Sequence, residues 1–359
     1  MWRWRRGLIT LGAIALAALG APSVASAGDE SPSWRADLRW GIDLDSNTRR
    51  ADAQQQSGDG LTRLLLDGSV SHDIGEAVEV QGQWLQGASV HRRDRGHDNW
   101  ITDVEVGLRI QQGAWWLGPR AGWKDRSERD PDWPRDYTRS VGGLRGGWQA
   151  QRGQVWLEGQ ATALDYKPNR DADFWGPSLG AGATLHWSDN WQLMGSLRSR
   201  WRRFDTSAIA VGDQGVEELE SPRRDRFESA SIGLLYRGPL VGQITYRYGR
   251  NRSNSFGQAM GRHAIEGRLT APLPMDTFLS ARLELQRARY EDEVRVDDTF
   301  YIDEDNRNTL VTALRRPIRD DLWWEVRYSR YRQVFGADQT YHRQILGVAL
   351  EMQFGADEI

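Results

Sequence analysis

From Ser33 to Leu44 the even positions hold Trp34, Ala36, Leu38, Trp40, Ile42 and Leu44, and the odd ones hold Arg35, Asp37, Arg39, Gly41 and Asp43. A period of two is that of a β-strand with one apolar and one charged face. The same alternation returns along the chain and predicts sixteen strands between Ser33 and Phe354. The first four are Ser33 to Leu44, Leu61 to His72, Ala77 to His91 and Trp100 to Ile110. Next come Ala114 to Arg126, Tyr137 to Ala150, Gln154 to Tyr166 and Trp175 to Trp187. Trp191 to Phe204, Phe227 to Tyr236, Leu240 to Arg250 and Gly261 to Ala271 follow. Thr277 to Tyr290, Asn308 to Arg316, Leu322 to Arg332 and Tyr341 to Phe354 complete the set. The sixth strand loses its phase near Val141, and Thr309 to Leu314 declares no face. Pro119 removes a ladder donor inside the fifth, which predicts a bulge or an irregular stretch there.

The connections alternate in length. Asp73 to Glu76, Gln111 to Gly113, Gln151 to Gly153 and Ser188 to Asn190 are short, as are Arg237 to Pro239, Pro272 to Asp276 and Pro317 to Asp321. Between them lie longer polar segments such as Asp45 to Gly60, Asp205 to Arg226 and Glu291 to Arg307. Short turns at one end and long loops at the other, with strands of about ten alternating residues, are the signature of an outer-membrane β-barrel. The expected fold is therefore an all-β, antiparallel, up-and-down transmembrane barrel of about sixteen strands. Its turns would lie in the periplasm and its loops outside the cell. An even count closes the sheet without a free edge. Arg or Lys on the lipid face costs ~2–4 kcal/mol at the bilayer midplane. The charged face must therefore line a lumen, because inverting the first strand would place Arg35, Asp37, Arg39 and Asp43 in hydrocarbon together.

Composition sharpens this picture. Arg3, Arg5 and Arg6 precede an apolar run from Gly7 to Gly20, and Ala25-Ser26-Ala27 supplies a small-residue cleavage site. Residues 1–27 thus read as a secretory signal peptide, leaving 28–359 as a single barrel domain. Removing three arginines takes the formal charge from −3 to −6, too mild to point to nucleic acid. The chain has no Cys, so neither disulfides nor thiolate metal sites hold it. Its mean hydropathy of −0.67 suits a barrel, in which only alternate residues meet lipid. Lys124 and Lys167 are the only lysines among 47 basic residues, a bias we assign to genome composition before function.

The last strand, with Leu346, Val348, Leu350, Met352 and Phe354 in phase, resembles the C-terminal β-signal of Gram-negative outer-membrane proteins. That resemblance implies recognition by the barrel-assembly machinery and a place among outer-membrane lipid and lipopolysaccharide. Gly355 to Ile359 follow the aromatic residue, so the signal here would be internal. Gly41 to Asn47 and Asn251 to His263 resemble loop entries in proteobacterial barrels of exopolysaccharide secretion. This implies passage or export of a polar solute, with exopolysaccharide as the candidate and periplasmic export components as partners.

Candidate site residues follow from the faces. Arg198, Arg200, Arg202, Arg237, Arg247, Arg262, Arg268 and Arg282 come from strands nine to thirteen, while Glu79, Asp103 and Glu105 come from strands three and four. In a ring of sixteen these walls oppose one another and would set a transverse field across the pore. The bland alternative is neighbour pairing that stiffens the wall, as between Arg268 and Glu284. Trp116, Trp156, Tyr166, Trp323 and Tyr331 face the same lumen, where they would stack on sugar rings or simply fill space. Trp34, Trp115, Trp148, Trp187, Trp191 and Trp324 lie at the turn ends of their strands, with Trp100, Trp123 and Trp201 toward the loops, as two aromatic girdles would require. The loop Glu291 to Asp305 holds eight acids, which would bind divalent cations or merely be solvated. His72, His91, His97, His186, His263 and His342 stand with no Ser and acid at a recognisable spacing. No catalytic residue, cofactor or metal is expected, and the alternative to a channel is a structural or adhesive barrel with a closed lumen.

Overall fold

The computed structural model describes residues 32–48, 57–129, 136–167, 172–212, 215–292, 308–334 and 340–356. The expected leader (1–27) and the acidic loop beyond Asp292 lie outside the described residues, as does most of the loop after Asp45. Sixteen strands follow one another: β1 (Ser33–Asp45), β2 (Asp59–Ile74), β3 (Val78–His91), β4 (Asn99–Gln112), β5 (Trp115–Glu128), β6 (Tyr137–Ala150), β7 (Gly153–Tyr166) and β8 (Phe174–His186). The second half comprises β9 (Trp191–Gly212), β10 (Gly215–Arg237), β11 (Val241–Ser253), β12 (Met260–Leu273), β13 (Thr277–Tyr290), β14 (Asn308–Arg319), β15 (Leu322–Val334) and β16 (Thr340–Ala356). Each pairs antiparallel with its neighbours in sequence, and β1 pairs with β16, from Trp34 opposite Ala356 to Asp45 opposite Ile345, to close the barrel.

Which face looks inward follows from contacts that skip a strand. Neighbouring strands lie about 4.8 Å apart, so alternate strands meet through side chains only on the concave side. Arg120 of β5 reaches Glu158 of β7 at 3.0 Å, and Arg198 of β9 reaches the same carboxylate at 3.3 Å. Arg39 of β1 likewise pairs with Glu325 of β15, and Arg315 of β14 with Glu351 of β16. The register carries this charged face round the ring. The other face is apolar and exposed, with Leu157 at 70%, Leu197 at 64% and Trp187 at 78%. A soluble barrel buries its apolar face; this one displays it.

Three sequence expectations are refined. Asp205 to Arg226 is not a polar loop, since β9 and β10 continue to Gly212 and from Gly215. Backbone pairing needs no apolar face, and Phe256 N–H donates to the Ile209 carbonyl, steadying the hairpin from the side. Its register shifts around Pro222, a residue that cannot donate to the ladder. Pro119 produces an irregular stretch without a bulge: pairing between β4 and β5 lapses from Leu108 to Arg109 and resumes in the same register. Thr309 to Leu314 does acquire faces, because Arg282 lies opposite Val311 and places it inward while Leu310 and Leu314 turn out.

At the loop rim a device repeats three times. Asp98, Asp136 and Asp173 stand immediately before β4, β6 and β8, and each accepts a hydrogen bond from the backbone N–H of His91, Glu128 or Tyr166, the last residue of the strand before. Each aspartate is buried. Burial pushes the Asp136 carboxyl above its ordinary pKa, against the hydrogen bond from Glu128 N–H, and the Glu128 charge adds to the rise. A raised carboxyl pKa favours the folded corner below the unfolded value, and that benefit is lost as pH climbs through the folded one. Asp136→Asn keeps the acceptor and removes the charge. Exchange of the Glu128 amide should then slow at pH 7 relative to the native protein, with its dependence on carboxylate titration reduced.

Candidate functional site

The interior face carries the site, and the register assigns each residue to it. Arg198, Arg200 and Arg202 on β9, Arg247 on β11, Arg268 on β12, and Arg282 and Glu284 on β13 all take interior positions. So do Glu79 on β3 and Asp103 and Glu105 on β4. Arg237 and Arg262 share that face, and Arg262 is buried.

Their pairing differs from a simple opposition of walls. Asp103 and Glu105 already have local partners, Lys124 at 3.3 Å and Arg120 at 3.8 Å on β5. Arg268 does not meet Glu284. Its partner is Glu266 two positions along the same strand, at 2.6 Å, and Arg282 bridges Glu266 at 3.0 Å and Glu284 at 3.2 Å. Arg268 and Arg282 are directly opposite in the register, so Glu266 holds two like charges together. Among the described residues Arg139, Arg202 and Arg247 have no carboxylate partner, which leaves the interior wall with a basic excess.

Part of this set lines an interior cavity of about 330 Å³. Asp103 and Lys124 line it from β4 and β5, and Arg139 from β6. Arg198, Arg200 and Arg202 line it from β9. Asp103 and Glu105 thus share one chamber, between β4 and β9, with Arg198, Arg200 and Arg202, while Glu79 and the named arginines of β10 to β13 are not part of its lining. At about 30 Å³ per water, it has room for roughly ten waters or a small polar solute.

The interior aromatics are present but covered. Arg145 lies 4.3 Å above the Trp156 ring and 5.7 Å from Trp116, while Arg109 lies 5.2 Å from Trp116. Behind Trp156 a Cβ at Gly182 would come within 2.5 Å of the indole, so the ring lies flat on the glycine. Arg315 covers Trp323 at 4.7 Å. Tyr166 is buried with Leu164, Phe174 and Phe204 in a small apolar cluster at the loop rim. Tyr331 faces inward between Thr309 and Arg343. Stacking of sugars on Trp116, Trp156 or Trp323 would first require an arginine to leave, and Tyr166 has no free face.

Sequence reasoning passed over Glu158, Glu266, Arg120, Arg139, Arg145 and Lys124. The signal was available: Glu158 shares parity with Trp156, already placed inward, and Glu266 with Arg268. On the outer face Trp34, Trp115, Trp148, Trp187 and Trp191 are exposed near the turn rim, and Trp324 shares their face half-buried. Trp123 is exposed toward the loop rim, where Trp175 joins the list.

Fold and site together define a class: a closed antiparallel barrel with an apolar exterior and an ion-paired, arginine-rich interior. No family model matches the sequence, and no curated protein matches it. Among solved structures the chain is similar to "Outer-membrane expressed OmpT of Vibrio cholerae", at 11% identity and a TM-score of 0.48, over 92% of this chain and all of that one. It is also similar to a "Bacterial polysaccharide outer membrane secretin", at 10% identity and a TM-score of 0.46, covering 89% and 98% of the two chains. OccAB3 of Acinetobacter baumannii matches at 12% identity and 0.47, over 91% and 100%.

Proposed function

We propose that this protein is a Gram-negative outer-membrane barrel that forms a water-filled channel for polar solutes and favours anions. The observation that supports this reading is the inverted distribution of its faces. Large apolar residues such as Leu157, Leu179 and Leu197 are exposed outside, while charged residues surround a chamber inside. Hydrocarbon is the environment in which the exposed face costs nothing, and water is the one that the interior face needs. The turn rim would face the periplasm and the loop rim the cell exterior, with assembly through the barrel-assembly machinery. Exopolysaccharide remains the candidate solute, with periplasmic export components as partners, and liposome swelling with graded sugars tests it.

The channel reading has a direct electrical test. Arg200→Glu, Arg247→Glu and Arg268→Glu together exchange three positive charges for three negative ones on the lumen wall. In a planar bilayer under a salt gradient, the triple variant should shift the reversal potential toward the cation side. An unchanged potential overturns the field assignment. A native protein with no stable conducting level overturns the channel and favours the closed, adhesive barrel, which the covered aromatics and the rim cluster around Tyr166 would suit.

A further inference from the structure

Toward the loop rim between β8 and β11 the outer face sets arginine beside tryptophan. In the register Trp175, Arg203 and Arg224 form one row across β8, β9 and β10. Trp201, Arg226 and Arg252 form a second row across β9, β10 and β11. All four arginines are exposed. Outward positions near the loop rim carry charge on other strands as well, such as Asp125 on β5, Arg287 and Arg289 on β13, and Arg330 and Arg332 on β15; what sets β8 to β11 apart is that two tryptophans and four arginines adjoin in paired rows.

Between the two rows runs a groove of about 480 Å³ bordered by Trp175, Trp201 and the four arginines. Glu228 pairs with Arg226 at 2.6 Å and with Arg252 at 3.7 Å, orienting both while neutralising one charge. Arg226 also lies 5.5 Å over Trp201. Arg203 and Arg224 have no carboxylate partner among the described residues. Four guanidinium groups against one carboxylate leave the groove strongly basic. The outward residues nearer the middle of the barrel are apolar, among them Leu179, Leu197 and Ile232.

We infer that this groove binds a phosphorylated, multiply acylated glycolipid of the outer leaflet, the membrane-embedded part of lipopolysaccharide. The inference rests on the membrane orientation proposed above. Planar guanidinium groups bind phosphate oxygens through paired hydrogen bonds, and two residues along a strand set the two rows about 7 Å apart. Arginine on the lipid face is nearly free of cost at the interface and expensive at the midplane. The basic band stops where the apolar face begins, so phosphates would sit in the groove while acyl chains lie along Leu179, Leu197 and Ile232. Trp175 and Trp201 mark the boundary between the two environments.

The test uses the purified full-length barrel in detergent, with bisphosphorylated lipid A, its dephosphorylated form and inorganic phosphate as probes. Native mass spectrometry should find bisphosphorylated lipid A retained, and the dephosphorylated form bound at least tenfold more weakly. Arg203→Gln with Arg224→Gln removes two groups that make no ion pair, so the fold should stand. This variant should lose at least tenfold in lipid A affinity. Equal binding by the double variant, or equal binding of dephosphorylated lipid A, overturns the inference. Full competition by millimolar inorganic phosphate also overturns it, by reducing the groove to a free-anion site. The gel mobility shift between unheated and boiled samples and the channel's reversal potential are read on the same preparations. They should be unchanged in the double variant, so a failed lipid site is distinguished from a failed barrel or channel.

Discussion

Glu158→Leu should destabilise the barrel by about 3–5 kcal/mol, the usual cost of removing one partner from a buried ion pair. The Glu158 side chain is only 3% exposed, with Arg120 at 3.0 Å, Arg198 at 3.3 Å and Arg145 opposite it in the register. Without the carboxylate these guanidinium groups crowd one stretch of wall with only Glu105, 3.8 Å from Arg120, as counter-charge. Arg120 keeps a hydrogen bond to Gln160 at 2.8 Å, which does not neutralise it. The lumen also gains one positive charge, so anion selectivity should rise together with the fall in stability. The urea midpoint of the gel mobility shift reports the first effect and the reversal potential the second. Glu158→Gln retains shape and an acceptor, and should reproduce the selectivity change with a smaller stability loss. A leucine variant with native midpoint and native potential would show that Glu158 organises nothing.

Asp45→Ala should weaken closure of the barrel by a similar amount. Its side chain is fully buried, accepts Nε of Arg343 at 2.8 Å together with a second hydrogen bond from that guanidinium, and accepts the backbone N–H of Asn47 at 2.9 Å. One position pair further along the interior face, Asp43 holds Arg63 of β2 at 2.9 Å and Arg327 of β15 at 3.6 Å. These aspartates fasten the ends of the chain, where β1 meets β16, and Arg343 without Asp45 would be a largely buried cation. The contrast lies at the opposite rim. Asp37 pairs with Arg35, whose side chain is mostly exposed. Exposed pairs contribute about 0–1 kcal/mol, so Asp37→Ala should be close to neutral. Limited proteolysis of both variants over a urea series compares the two, and equal resistance would refute the seam assignment.

The pairing seen in these two clusters also marks how far sequence reading reached. All twelve charged residues named for the lumen wall, Arg237, Arg262 and Glu284 among them, occupy interior positions, because parity within a strand is local and survives errors of a few residues at strand ends. Partner choice is different. Arg268 stood within reach of Glu284 by its neighbouring strand, yet the chain brings it to Glu266. Trp116 and Trp156 faced inward as expected, while the arginines over them followed from no spacing in the sequence. The hairpin through Ala208 is illegible in the sequence for a related reason: its charged, weakly alternating residues carry no clear period of two, and ladder hydrogen bonds are indifferent to that pattern.

What the amino-acid sequence determined alone is the alternation itself, hence sixteen strands and the assignment of grease to one face and charge to the other. Each residue's face depends only on its neighbours along the strand. What the tertiary structure decided is which charges meet, since Arg120, Glu158 and Arg198 lie on alternate strands and touch only because a closed sheet bends its inner side chains together. Curvature and register are properties of the ring. No single strand contains them.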